Sequence, residues 1–368
     1  MSAVPETGLL LASGRVRRRK RVGKAVELAA TAGSFAAVAL LGLMVGSVVV
    51  KDGEIVGRGY HRYDNLKHAE VWALEEAGPR ARGATVYVNL EPCSHRGGGK
   101  RTSPCVQALL DAGVTRVVAS MVDPNPRVNG RGFDRLREAG IEVGVGALER
   151  EARRLNEKYA RFVTSGLPFV HLKLACSLDG RIATRAGDAR WITGAEARAA
   201  SQALRHDYDA ILVGVGTVLA DDPHLTARTD AGALANRQPI RVIVDSQNRT
   251  PADARVRDGA ARTWVATAAE LGTGADGRVD LRRLGVGLFE RGCRRVLLEG
   301  GPTLAGAYLR EGLVDEMVGY IAPKLLGDGP AALATAGIVT IAEAIDLEIV
   351  DVRRVGPDLR LSALPKGR

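Results

Sequence analysis

A chain of 368 residues that is 46% apolar can bury a sizeable core, and its length suggests two domains of ordinary size. Four cysteines in so long a chain make no disulfide framework; their uneven placement fits a reducing compartment where thiols bind metal or pack, so a cytoplasmic enzyme is the default expectation. The net charge of +10 imitates a nucleic-acid signal until it is mapped: residues 15–24, RVRRRKRVGK, hold seven basic residues and no acid, and the remainder is close to balanced.

Residues 1–24 therefore read as a basic, disordered, solubilising leader, with RNA or anionic lipid as the alternative contacts and no nucleic-acid partner expected. Residues 28–50 then run 23 positions without a charge, a length and a flank that imitate a membrane anchor. Val48, Val49 and Val50 nevertheless lead into VKDGEIVGRGYH, where Asp52 and Gly53 carry the tight-turn chemistry of a β-hairpin. A hairpin starting at Val45 leaves about 17 residues, short for a span and interrupted by Thr31, Gly33, Ser34 and Gly42. The expectation is a helix packed on a sheet, with no membrane partner.

Downstream, a helix is predicted near residues 69–77, a strand over TVYVNL at 85–90, and a helix opened by Ser103 and Pro104. A strand over TRVVASM at 115–121, a helix near 133–139 and a strand over IEVGV at 141–145 follow. Such alternation implies an α/β fold with helices covering a sheet. Residues 151–161 are charged and helix-prone, and TSGLP at 164–168 supplies breakers. The domain boundary is placed there, giving a first domain over 25–165 and a second over 166–368.

The stretch LEPCSHRGGGKRTSPC at 90–105 acquires a meaning from a third residue. His68 and Glu70 form H-A-E, 25 positions before Cys93, and Cys105 follows Pro104. One histidine and two cysteines give zinc a tetrahedral catalytic site with one position open to water, whose pKa the metal lowers to about 7. Glu70 is the expected proton shuttle, and the helix opening at Cys105 favours a thiolate there. A structural zinc site completed by His95 is the alternative. A phosphate loop is excluded, because Arg101 and Ser94 stand where a Walker sequence needs Ser or Thr and its first glycine.

The layout is the H-x-E then P-C pattern of zinc-dependent nucleobase deaminases with the second cysteine delayed. HAEV, YVNLEPCSH, RTSPC and DPNPRVNGRG together resemble the deaminase half of the bifunctional riboflavin-biosynthesis deaminase/reductase family. The resemblance implies a cytidine-deaminase-like α/β/α domain in which His95 faces substrate. In the second half, PFVHLKLACSLDGRIA at 168–183, WITG at 191–194, DAILVGVGTVLADDPHLTAR at 209–228, PIRVIVDSQNR at 239–249 and LLEGGPTLAGAYL at 297–309 resemble that family's reductase. They imply a dihydrofolate-reductase-like α/β domain that binds NADPH and reduces the ribosyl group of a phosphorylated pyrimidine.

By that resemblance His95, Ala189, Arg205, Leu225, Arg228 and Glu299 meet substrate, the guanidinium groups suiting phosphate. Ala175, Trp191, Thr217, Asp221, Ser246, Gly301, Pro302, Thr303 and Leu304 meet the nicotinamide cofactor, and Lys173 donates a proton or polarises the substrate. Paired reductase domains, and so a homo-oligomer, are a further implication. Read without it, AILVGVG and RVIVD are buried strands, and Gly300, Gly301 and Pro302 open a helix whose bare amides form an anion site. Leu219 at the third position of G-x-G-x-x-G excludes a Rossmann fingerprint.

Three features depart from the family pattern: LGLM at 41–44 replaces an Asn-bearing turn, the cysteine loop is about three residues long in excess, and Ala189 replaces a serine. They define two rival expectations, a zinc protein with an impaired deaminase and an active reductase, and a membrane-tethered scaffold.

Overall fold

The structure, a computed structural model, describes residues 45–61, 67–95, 103–334 and 337–366. The basic leader, the apolar stretch up to residue 44 with its LGLM segment, and the glycines of the cysteine loop lie outside them. Among the described residues no helix is long and apolar enough to cross a membrane. The chain divides between Thr164 and Ser165 into two compact units.

The first unit is built on a five-stranded sheet of order β2-β1-β3-β4-β5. Strands β1 (Gly46–Lys51) and β2 (Glu54–Tyr60) form the expected hairpin, whose turn residues Asp52 and Gly53 both have positive φ, 51° and 84°. That handedness matches the twist of the flanking strands. β1 pairs antiparallel with β3 (Thr85–Val88), while β3, β4 (Arg116–Ala119) and β5 (Glu142–Val145) run parallel. Helices α1 (Ala69–Ala77), α2 (Cys105–Asp111) and α3 (Arg131–Glu138) supply Ala73, Leu109, Phe133 and Leu136 to a core with Val49, Val86, Val88 and Val117.

Two glycines of β2 decide where α1 lies. A Cβ on Gly57 would stand 2.1 Å from the Ala73 carbonyl oxygen, and one on Gly59 would stand 2.0 Å from that of Ala69. The helix therefore rests directly on bare backbone, and its first residues are carried to the sheet edge.

The helix-prone stretch near residue 151 forms two helices rather than one, α4 (Glu149–Leu155) and α5 (Glu157–Ser165), separated at Asn156.

The second unit is an eight-stranded sheet of order β12-β13-β11-β6-β10-β7-β8-β9. Its central strands β6 (Phe169–Ser177), β7 (Ala210–Gly214), β8 (Ile240–Val244), β9 (Thr263–Ala266), β10 (Arg295–Leu298) and β11 (Glu316–Ala322) are parallel. β12 (Leu347–Val355) and β13 (Asp358–Pro365) add an antiparallel hairpin beyond β11. The run AILVGVG is strand only to Gly214, and Val215 opens helix α7 (Val215–Asp221), which follows α6 (Ala195–Leu204). β-Branched Val215 and Val218 are held helical by packing on Ile211, Val213 and Ile243. Because β10 inserts between β6 and β7, the chain reverses its direction of winding there, the place at which parallel α/β sheets generally bind ligands beyond the carboxyl ends of their strands.

Candidate functional site

In the first unit the sequence-predicted ligands converge. His68 is the N-cap of α1 and Cys105 the first residue of α2, so both stand at helix openings, while Cys93 follows the turn after β3. His68 Nδ1 lies 3.1 Å from Cys105 Sγ and 3.6 Å from Cys93 Sγ, and the two sulfurs are 3.3 Å apart. Neither cysteine is joined in a disulfide, and these three residues form the one cluster of metal-ligating groups among the described residues. The triangle is small enough for one ion to touch all three atoms at the ~2.0 Å and ~2.3 Å of Zn–N and Zn–S bonds. The donor set, one imidazole and two sulfurs, suits zinc and leaves a fourth position for a small ligand.

The amide of Cys105 points at Cys93 Sγ from 3.4 Å, and the Val106 amide donates to the Cys93 carbonyl at 3.2 Å. The start of α2 thus wraps the Cys93 turn and favours negative charge on its sulfur. A residue that sequence reading passed over completes this scaffold. Glu91, 3% exposed, accepts from the amides of Asp123, Gly130 and Gly132 at 3.0, 2.8 and 2.8 Å, tying the Pro92–Cys93 turn to the loop before α3.

Glu70 sits in the first turn of α1, 3% exposed, and its Oε2 has no hydrogen-bond partner among the described residues. Burial, reinforced by Cys93 and opposed by His68, raises its pKa above the usual carboxylate value. A buried carboxylate two residues from His68 is suited to carrying a proton between water and a leaving group. Replacing Cys105 with serine removes a soft donor. Elemental analysis of Cys105→Ser should show zinc falling from about one ion per chain to a small fraction.

A cavity of about 300 Å³ opens beside this cluster, lined by His61, His95, Asp123, Asn156, Tyr159 and Phe162 among others. His95 therefore lines the pocket rather than joining the metal-ligating group. His61 stands edge-on to His68, ring centroids 5.4 Å apart, and burial followed by His68 lowers its pKa. Asp123, Asn156, Tyr159 and Phe162 were not legible as pocket residues, because the first lies in a proline-rich loop and the others in a stretch of uniform helical propensity.

Asp123 accepts from Tyr159 Oη at 3.0 and 3.2 Å and from the Asn125 amide at 2.8 Å. Burial outweighs these bonds and, helped by Glu91 and Cys93, raises its pKa to about 6. An unfolded aspartate titrates near 3.9, so between roughly pH 4 and 6 the folded chain binds a proton that the unfolded chain has released. Stability of the metal-free protein should fall as pH rises through that window, and Asp123→Asn should flatten the fall in urea titrations at successive pH values.

In the second unit the predicted residues gather in two groups. Arg205, just after α6, donates through Nε and Nη2 to both oxygens of Glu299 at 2.8 and 2.9 Å, and through Nη1 to the Thr226 carbonyl at 3.1 Å. Burial alone would raise the Glu299 pKa; the Arg205 charge, its hydrogen bonds and the charge of Lys173 outweigh it and lower the value. Burial lowers that of Lys173, with Glu299 opposing and Arg205 assisting. Leu225, 3% exposed with φ 51°, directly precedes the Thr226 carbonyl that holds Arg205.

The other group surrounds helix α8 (Pro302–Arg310), whose N-cap is Gly301. A Cβ on Gly301 would lie 3.7 Å from Thr217 Oγ1, and one on Gly214 would lie 3.9 Å from Leu304. Pro302 and Thr303 form the first turn with Leu304, close to α7 and the open end of β10. Ser246 follows β8 and accepts from the Val279 amide at 3.1 Å, and Ala175 lies on β6 beside Tyr320 of β11.

The remaining predicted residues are more peripheral. Ala189 and Trp191 lie in an exposed loop, the indole under the Arg198 guanidinium at 4.3 Å. Asp221 is exposed at the end of α7. Arg228 folds back on its own turn and donates to the Gly232 carbonyl at 2.8 Å.

Residues 20–121 match the cytidine and deoxycytidylate deaminase zinc-binding region, and residues 168–361 match the RibD C-terminal domain. The riboflavin biosynthesis protein RibD of Escherichia coli is 47% identical over 339 residues, spanning 86% of this chain and 92% of that one. The chain belongs to the RibD family. Its Aquifex aeolicus relative of the same name is 41% identical over 86% of this chain and 90% of its own. Among solved structures, Acinetobacter baumannii RibD superposes with TM-score 0.75 at 37% identity, covering 93% of this chain and 99% of that one. The diaminohydroxyphosphoribosylaminopyrimidine deaminase/5-amino-6-(5-phosphoribosylamino)uracil reductase of Thermotoga maritima does so with TM-score 0.72 at 35% identity, covering 88% and 94%. Family membership joins a zinc-binding deaminase domain to a reductase domain in one riboflavin-biosynthesis enzyme.

Proposed function

We propose that the chain catalyses two consecutive steps: hydrolytic removal of the amine from a diaminopyrimidinone ribosyl phosphate in the first unit, and NADPH-dependent reduction of the ribosyl group to ribityl in the second. The supporting observation is the convergence of His68, Cys93 and Cys105 beside the buried carboxylate of Glu70, in a chain whose second half matches the reductase family. Residues 25–165 carry the first activity and 166–368 the second.

His68, Cys93 and Cys105 hold zinc. When bound, zinc supplies Lewis acidity that makes water nucleophilic near neutral pH, and NADPH supplies hydride. Glu70 takes a proton from the attacking water at Oε2 and passes it to the departing amine. In the second unit the ring-opened imine of the sugar is reduced, and Lys173 delivers or steadies the proton on nitrogen. Arg205, Leu225, Arg228, Ala189 and Glu299 shape the substrate side, with His95 its counterpart in the first unit. Ala175, Trp191, Thr217, Asp221, Ser246 and the start of α8 from Gly301 to Leu304 hold the cofactor, whose phosphates suit amides at a helix N-terminus.

Cytoplasmic location and pairing of chains through the reductase unit belong to the same reading; Ile349 and Val352, exposed on the edge strand β12, favour the pairing. The test is to supply the diamino substrate and NADPH together. Ammonia release should precede NADPH oxidation, one for one. Oxidation only of pre-deaminated substrate would instead favour a chain with reductase activity alone.

A further inference from the structure

The pocket beside the metal-ligating cluster includes a side chain that the chemistry above does not use. Asn156 stands at the break between α4 and α5, wholly buried, and its amide donates to the Ala152 carbonyl at 3.0 Å. The orientation of its carboxamide follows from its neighbours. One end lies 3.0 Å from the Ala152 carbonyl oxygen and 3.9 Å from Met121 Sδ, both acceptors, so that end is nitrogen.

The oxygen Oδ1 is then buried without a hydrogen-bond partner among the described residues, on a side chain that lines the same pocket as His68, Glu70 and Cys93. Leaving a carbonyl oxygen unpaired away from water is costly, and such groups ask for an explanation. Glu70 Oε2 is in the same condition in the same pocket. The neighbouring wall is formed by Asp123, whose carboxylate is steadied by Tyr159 and by the Asn125 amide. Asn156 Oδ1 and the Asp123 carboxylate are both acceptors, and a wall of acceptors fits a ligand edge made of donors.

A pyrimidinone presents such an edge, because its ring N–H adjoins the amine-bearing carbon. We propose that Asn156 is a specificity-determining residue of the deamination site, its carboxamide oxygen accepting a hydrogen bond from that ring N–H. The inference rests on the function proposed above and adds to it a group that reads the heterocycle. Sites that bind a donor through a buried acceptor reject analogues lacking it, since the acceptor is then stranded.

The experiment compares wild type, Asn156→Ala and Asn156→Asp on the diamino substrate and on an analogue methylated at the ring nitrogen, following ammonia. Asn156→Ala should raise KM for the parent substrate by about 5–30-fold, the worth of one such bond. Zinc content, melting temperature and NADPH oxidation with pre-deaminated substrate should stay at wild-type values. Methylation should penalise wild type strongly and Asn156→Ala by less than about 3-fold, and Asn156→Asp, which keeps the acceptor, should restore the discrimination. Equal penalties in wild type and Asn156→Ala would overturn the assignment, as would an unchanged KM or a loss of zinc and stability in step with activity. A wild-type protein that released no ammonia from the parent substrate would overturn the proposed function as well.

Discussion

Glu70→Gln should lower ammonia release by about 10²–10⁴-fold, the range expected for loss of a positioned proton carrier. The amide retains the shape of the side chain, so zinc should remain bound and the pocket intact. Oxidation of NADPH with pre-deaminated substrate should be unchanged, because Glu70 belongs to the first compact unit and the reductase match begins at residue 168. Ammonia release within tenfold of wild type would assign the proton transfer to another group. His61 and His95, which line the same pocket, would be the next residues to replace.

Glu299→Ala should be the most damaging single change in the second unit. It leaves the Arg205 guanidinium, whose side chain is only 15% exposed, without the carboxylate that accepts two of its donors. Breaking a buried pair by removing one partner typically costs about 3–5 kcal/mol, because the surviving charge stays desolvated. Urea unfolding of the reductase unit should register that loss, and NADPH oxidation should fall with it while ammonia release persists. Combining the change with Arg205→Met should recover much of the stability, since the stranded charge is then gone. A Glu299 that acted only on substrate would leave the unfolding midpoint where it was.

The features legible in the sequence are those whose chemistry is local. Asp52 and Gly53 announce the hairpin because few residues tolerate its two positive φ angles. Helix α1 spans the expected residues 69–77, and Gly78 followed by Pro79 stops it. His68, Cys93 and Cys105 were singled out because few residue types bind zinc, and the structure brings their side chains together.

What could not be read depends on partners distant along the chain. Arg205 and Glu299 are 94 positions apart, so nothing local to either distinguishes a phosphate-binding cation from one already paired. Likewise, Glu91, two positions before Cys93, gives no hint that it gathers three amides 32 to 41 residues on. The end of β7 at Gly214 was hidden because Val215 favours strand intrinsically, and only its packing against Ile211 and Ile243 makes it helical. Asn156 illustrates the same limit, since a helix-prone stretch conceals the one residue at which it breaks.

The deaminase chemistry depends on one metal held by three side chains with a fourth position open. Anomalous diffraction from crystals at the zinc absorption edge tests it most directly. A single peak should lie about 2.0 Å from His68 Nδ1 and about 2.3 Å from the sulfurs of Cys93 and Cys105, with no fourth protein ligand. No peak at that position, or a fourth protein ligand such as His95 closing the coordination sphere, would contradict it.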